Sequence, residues 1–191
     1  MAMETDQGMH INFKFIDMGG QEQFEFLVPM YMKMGNQGLY YFIDSRRIDR
    51  SMKHYEANRE IINKYFTPDK IFFVATKYET EDYPELAEKI DGLEQVLNHE
   101  IYRISSKTGA GVDLLKNKMV TNGVKNYMPN GKIILSYFLT GLGGGGKSTL
   151  IKRLITGNFV PCELTVGPEF QVYSCDINYK LNGQNISVTV L

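Results

Sequence analysis

Eight consecutive residues, Gly141-Leu-Gly-Gly-Gly-Gly-Lys147-Ser148, have the types and the order needed to hold a chain of phosphates. Glycines let successive backbone N–H groups turn inward around an anion, because no Cβ opposes the left-handed conformation. Gly143, Gly144, Gly145 and Gly146 supply that backbone. Lys147 can place its ammonium between the β- and γ-phosphates, and the Ser148 hydroxyl can ligate Mg²⁺. Thr149 follows as a further phosphate contact. A helix beginning here aims the positive end of its dipole at the same point. The flanks agree with this reading. Ile133–Thr140 is a buried apolar strand by pattern, and the STLIKRLI run after Lys147 is helical up to Gly157. A flexible glycine turn standing before Lys-Ser by chance would have no need of both.

Other polar segments follow apolar runs in the same way. Asp17-Met-Gly-Gly20-Gln21-Glu22 ends the INFKFI run and, by itself, reads equally as a turn. Thr76-Lys77-Tyr78-Glu79 follows IFFVA directly, where an open α/β sheet places its ligand crevice. The bland alternative is a solvated pair of charges. Ser105-Ser106-Lys107 follows Ile101–Ile104, and Phe159 and Thr165 lie beyond the helix after the glycine run. His10, His54 and His99 have no mutual metal-site spacing and read as structural or solvated. Met30, Met32 and Met34 read as fillers of irregular gaps, with an adaptable partner surface as the lesser alternative.

The elements that must position these residues alternate along the chain. Leu39–Ile43 and Ile71–Ala75 are nearly all apolar and aromatic, which predicts strands covered on both faces, as in a parallel sheet. Helical patterns lie between them: from a Ser51 cap through Tyr65, from Pro84 to about Asn98, and over Val112–Val120. Thr121–Gly131 holds Gly, Asn and Pro without apolar periodicity and reads as a linker. Asn182–Gly183 between Glu169–Leu181 and Gln184–Leu191 is a strong hairpin signal. The implied class is a doubly wound α/β sheet.

Composition bounds the function. The 191 residues suit a single domain with decoration, or two small ones. Lys plus Arg is 21 against 22 for Asp plus Glu, so the chain lacks the basic excess of a nucleic-acid binder. Its apolar runs are too short to span a bilayer, and neither a secretory leader nor a lipid-anchor motif is visible, so no membrane anchor is expected. Two cysteines, Cys162 and Cys175, fit a reduced, cytoplasmic setting.

Taken together, the segments resemble the Ras-like small GTPases. Asp17-Met-Gly-Gly20-Gln21-Glu22 resembles the DxxGQE switch II signature, in the form nearest to Arf and Gα. Ala75-Thr76-Lys77-Tyr78-Glu79 resembles the guanine-reading NKxD motif, and Ser105-Ser106-Lys107 the SAK motif. Phe159 to Phe170, with Thr165, resembles switch I. A small GTPase runs P-loop, switch I, DxxG, NKxD, SAK. Here the order is DxxG, NKxD-like, SAK-like, P-loop, switch I, a cyclic rotation of it. The resemblance therefore implies a P-loop NTPase fold, a Ras-like mostly parallel sheet flanked by helices. It implies a single domain over residues 8–191, circularly permuted at the hairpin between the family's second and third strands, with Thr121–Gly131 joining the former termini.

The roles below are what the resemblance implies. Asp17, Ser148 and Thr165 hold Mg²⁺. Gly20 contacts the γ-phosphate through its N–H, and Gln21 orients the attacking water. Lys147 and Thr165 act at the transferring phosphate, and Phe159 packs on the guanine. The Lys77 stem covers the base, Thr76 replaces the family's Asn, and Glu79 accepts from guanine N1 and N2. Ser106 reads O6 through its N–H, between Ser105 and Lys107. Glu79 is one methylene longer than the family's Asp, and a misplaced acceptor costs about 1–3 kcal/mol of base discrimination. No Arg lies between Asn158 and Thr165, so a cis arginine finger is missing there and intrinsic hydrolysis is expected to be slow.

The implied activity is a switch that binds GTP or GDP with Mg²⁺, hydrolyses GTP and meets protein effectors or regulators through the switch regions. The alternatives are a pseudo-GTPase scaffold that holds nucleotide with weak or no hydrolysis, and a P-loop ATPase or kinase. The third strand of the family is encoded twice, as MHINFKFI after Gly8 and QNISVTVL after Gly183. The copy carrying Asp17 is expected beside the P-loop strand. The other is expected to add to the sheet edge, fray, or pair with a second molecule as a dimer.

Overall fold

A computed structural model describes residues 11–18, 28–32, 38–124, 133–163, 168–173, 177–181 and 184–188. The Gly20, Gln21 and Thr165 assignments lie outside them. The elements run β1 (Ile11–Met18), α1 (Val28–Met32), β2 (Gly38–Asp44), α2 (Ile48–Tyr65), β3 (Ile71–Thr76), α3 (Leu86–Leu97) and β4 (Ile101–Arg103). They continue with α4 (Val112–Val124), β5 (Ile133–Gly141), α5 (Lys147–Thr156), β6 (Pro168–Tyr173), β7 (Ile177–Leu181) and β8 (Gln184–Val188).

The main sheet has the order β4-β3-β2-β5-β1-β6. Its first five strands are mutually parallel, and β6 runs antiparallel against β1. The fold is thus α/β, a five-stranded parallel sheet flanked by helices with one antiparallel edge. Parallel neighbours need long crossovers, and the helices supply them.

Alternate residues of each strand feed two cores. Tyr40 and Phe42 of β2, Val74 of β3 and Leu135, Tyr137 and Leu139 of β5 pack with α4 and α5 through Leu115, Met119, Leu150 and Ile151. Leu39, Tyr41 and Ile43, with Phe73, Ala75 and Phe138, face the other way onto Tyr55, Ile62 and Ile90 of α2 and α3. This is why the LYYFI run shows no alternation: both faces are covered. Tyr41 also donates its hydroxyl to the Ser51 carbonyl at 2.9 Å, so a large aromatic is buried without stranding its polar end.

Several boundaries differ from the sequence expectation. Helix α3 starts at Leu86, so Pro84 precedes it rather than standing in its first turn. Helix α2 starts at Ile48, so Ser51 lies inside it rather than capping it. The Ser51 hydroxyl accepts the Asp44 N–H at 3.1 Å, while the Asp44 carboxylate accepts the Arg46 N–H at 3.1 Å and leads a 3₁₀ turn, Ser45–Arg47, into the helix. Helix α4 runs through Val124, so Thr121–Val124 is helix and not linker. This last turn is polar, with the Thr121 hydroxyl donating to the Asn117 carbonyl at 2.8 Å, and Gly123 lets it approach Leu135 and Tyr137 of β5 closely. The long Glu169–Leu181 segment is two strands, β6 against β1 and β7 against β8.

β1 lies beside β5, with Asp17 opposite Leu139, as expected for the strand copy that carries Asp17. β8 pairs with β7 of its own chain in a separate two-stranded ribbon, joined through Asn182–Gly183 with Leu181 opposite Gln184. No described helix is long and apolar enough to cross a membrane.

Leu139 sits fully buried at the centre of the sheet. Leu139→Ala should cost about 2–5 kcal/mol, read as a lower midpoint in urea unfolding; a loss under 1 kcal/mol would contradict this core.

Candidate functional site

In an open parallel sheet, ligands bind beyond the carboxyl ends of the strands, near the point where strand order reverses. Here Asp17, Asp44, Thr76 and Gly141 lie at the carboxyl ends of β1, β2, β3 and β5, along one edge of the sheet. A cleft of about 350 Å³ opens there. Its lining includes Thr76, Lys77, Glu79, Ser106 and Lys107, the glycine run Gly143, Gly144, Gly145 and Gly146, then Lys147, Ser148, Thr149 and Phe159. The volume falls in the range of small-molecule sites.

The glycine loop is shaped by its neighbours. Gly141, Gly144 and Gly146 have φ of 136°, 69° and 87°, the left-handed range. A Cβ on Gly141 would come within 2.5 Å of the Phe42 carbonyl oxygen. Each successive carbonyl of the loop is held by a side chain. Lys147 Nζ donates to Gly141 and Leu142 at 3.1 and 3.3 Å, and Arg47 to Gly143 at 3.3 Å. Lys77 Nζ donates to Gly144 at 2.9 Å, and the Thr76 hydroxyl to Gly145 at 2.7 Å. The loop also closes on itself, the Gly145 N–H donating to the Leu142 carbonyl at 3.0 Å.

Two of those cations share one anchor. Asp44 is fully buried, and its carboxylate takes Lys77 Nζ at 2.7 Å and the Arg47 guanidinium at 2.7 Å. Burial pushes the Asp44 carboxyl up, but the hydrogen bonds from Lys77 and Arg47 outweigh it and hold it below the ordinary carboxylate value. Lys77 itself takes a left-handed backbone, φ 55°, a conformation that costs a non-glycine residue energy and clusters at functional sites.

At the loop's far end, Lys147 is only 5% exposed. Burial lowers its ammonium pKa, and the Asp17 charge opposes that shift. The Ser148 hydroxyl donates to Asp17 Oδ2 at 2.5 Å, joining residues 131 positions apart. A buried carboxylate and a hydroxyl beside the glycine loop are hard oxygen donors of the kind that Mg²⁺ takes, one or two carboxylates with the rest of its shell from phosphate and water. No cluster of three or more His, Cys, Asp or Glu suited to a metal occurs among the described residues.

The opposite end of the cleft is polar and aromatic. Glu79 Oε1 accepts the Ser105 hydroxyl at 2.7 Å, and Oε2 accepts Arg46 Nη2 at 2.6 Å. Ser105 is fully buried outside the cleft lining, and its hydroxyl reaches the cleft only through Glu79. Arg153 of α5 donates to the carbonyls of Ser106 and Lys107 at 3.2 and 3.3 Å and so holds the 105–108 loop. Phe159 stands 43% exposed at the rim.

Sequence reasoning did not single out Asp44, Arg46, Arg47 or Arg153. The available signal was position: Asp44-Ser-Arg-Arg directly follows a strand buried on both faces, so its charges arrive at the ligand edge.

The Asp44 contribution to stability is complete above the unfolded carboxylate pKa and is lost as pH falls through the lower folded value. Wild type should therefore lose stability as pH drops below about 4, while Asp44→Asn, already lacking the charge, should lose less over that window. At neutral pH Asp44→Asn should cost about 1–3 kcal/mol in urea melts. Parallel acid profiles for the two proteins would remove Asp44 from this role. Compared with known proteins, the chain matches no family model, no curated protein and no solved structure.

Proposed function

We propose that this cleft binds a guanine nucleotide with Mg²⁺ and hydrolyses GTP to GDP, in a P-loop NTPase fold whose small-GTPase motifs follow one another in cyclically rotated order. The observation that carries the proposal is the 2.5 Å contact between Ser148 and Asp17 at the mouth of the glycine loop. Ser148 comes from the phosphate motif and Asp17 from the DxxG-like motif, and a shared metal is the reason for two such motifs to meet.

On this reading the loop N–H groups and the α5 N-terminus receive the phosphates, and Lys147 neutralises charge between the β- and γ-phosphates. Ser148, Asp17 and Thr165 would hold Mg²⁺, which when bound would offset phosphate charge. Gln21 orients a water in line with the γ-phosphorus. The water oxygen bonds to phosphorus as the bond to the β-phosphate oxygen breaks, giving GDP and inorganic phosphate. Glu79 accepts from the base, the Ser106 N–H reads O6, and Lys77 and Phe159 cover its faces.

Titration with GDP, GTP and ATP in magnesium should give tight binding of the guanine nucleotides and weaker binding of ATP. Lys147→Ala should weaken GTP binding by about a hundredfold or more. Equal competition by ATP would remove the guanine assignment. In wild type, phosphate release should be slow and should fall by about tenfold or more in Gln21→Leu. Bound GTP that is never turned over would convert the reading to a nucleotide-holding scaffold.

A further inference from the structure

Glu79 is the carboxylate that the proposed function sets against the base, and it does not stand alone. Its side chain is nearly buried, and Arg46 lies on it at 2.6 Å. Arg46 belongs to the 3₁₀ turn after β2 and lines the same cleft. Its guanidinium also lies over the Tyr83 ring, 5.0 Å from the centroid. It is thus gripped on one side by a charge-assisted hydrogen bond and on one face by an aromatic ring.

That arrangement changes what the carboxylate can read. Guanine offers its N1–H and 2-amino group, two donors, to a pair of carboxylate oxygens. Here Oε1 already accepts from Ser105 and Oε2 from Arg46. A second bond to each oxygen is within a carboxylate's capacity. The guanidinium, however, withdraws negative potential from Oε2 and brings further N–H donors to the same place. A 2-amino group arriving there meets donors, whereas a 2-carbonyl meets a partner. Xanthine carries N1–H together with that 2-carbonyl.

We infer that Arg46 is a specificity-determining residue of this cleft, which widens its purine preference from guanine to 2-oxo purines of the xanthine type. The inference rests on the guanine-nucleotide reading and names what sits at the 2-position. Tyr83 holds Arg46 in place; Ser105 keeps Oε1 directed away from the guanidinium.

The test measures dissociation constants of GDP and xanthosine diphosphate in magnesium for wild type, Arg46→Gln and Arg46→Lys. In wild type the two should lie within about tenfold of each other. Arg46→Gln keeps a polar but shorter side chain on a partly exposed turn and removes both the charge and the contact with Glu79. It should raise the preference for GDP over xanthosine diphosphate by about tenfold. Arg46→Lys retains the charge but loses the planar fork stacked on Tyr83, and should move the ratio clearly less than Arg46→Gln does. A shift under about threefold in Arg46→Gln, equal behaviour of the Gln and Lys variants, or loss of both nucleotides in Arg46→Gln overturns the inference while leaving the guanine-nucleotide reading intact. Wild type that binds neither nucleotide overturns the reading itself, and the inference with it.

Discussion

A glycine-rich loop has no side chains with which to hold its own shape, and everything proposed for this cleft depends on that shape. The constraint is met from outside. Gly143 and Gly144 give their carbonyls to Arg47 and Lys77, and both cations rest on the buried Asp44 carboxylate. Thr76 takes the next carbonyl, and Lys147 turns back onto the first two. The conformational cost of ordering the glycines is met when the sheet forms, because β2 and β3 bring Asp44 and Thr76 to the loop in fixed register.

The sheet can do this because its central strands are apolar on both faces. β2 lies between β3 and β5, so the carboxyl ends of all three strands stand side by side at the loop. Helices on each side hold the strands in line: α4 and α5 on one face, α2 and α3 on the other. The polar residues that follow the strands therefore emerge together at one edge, although Asp17 and Ser148 are far apart along the chain.

Much of this was legible beforehand. Leu39–Ile43 and Ile71–Ala75 announced doubly covered strands through their unbroken apolar character, and Lys147–Thr156 matched its helix to the residue. The hairpin at Asn182–Gly183 was readable from two residues. What escaped was decided by contacts with no local signature. Ser51 looked like a helix cap because serine often is one, yet the Asp44 carboxylate leads the chain into the 3₁₀ turn before the helix. Thr121–Val124 looked like linker because its helix is held by packing of Gly123 on β5 rather than by propensity. Arg46 and Arg47 carry no motif of their own, and only the neighbouring strand ends turn them into parts of a cleft.

Helix α5 touches both ends of that cleft. It starts at Lys147 beside the glycine loop, and six residues later Arg153 grips the carbonyls of Ser106 and Lys107. With a rise of about 1.5 Å per residue, the rigid rod between them measures about 9 Å. The span between the two ends of the cleft is thus gauged by a caliper of hydrogen-bonded backbone rather than by a deformable connection. One residue inserted between Lys147 and Arg153 would turn the far jaw by about 100° and leave it closing on nothing.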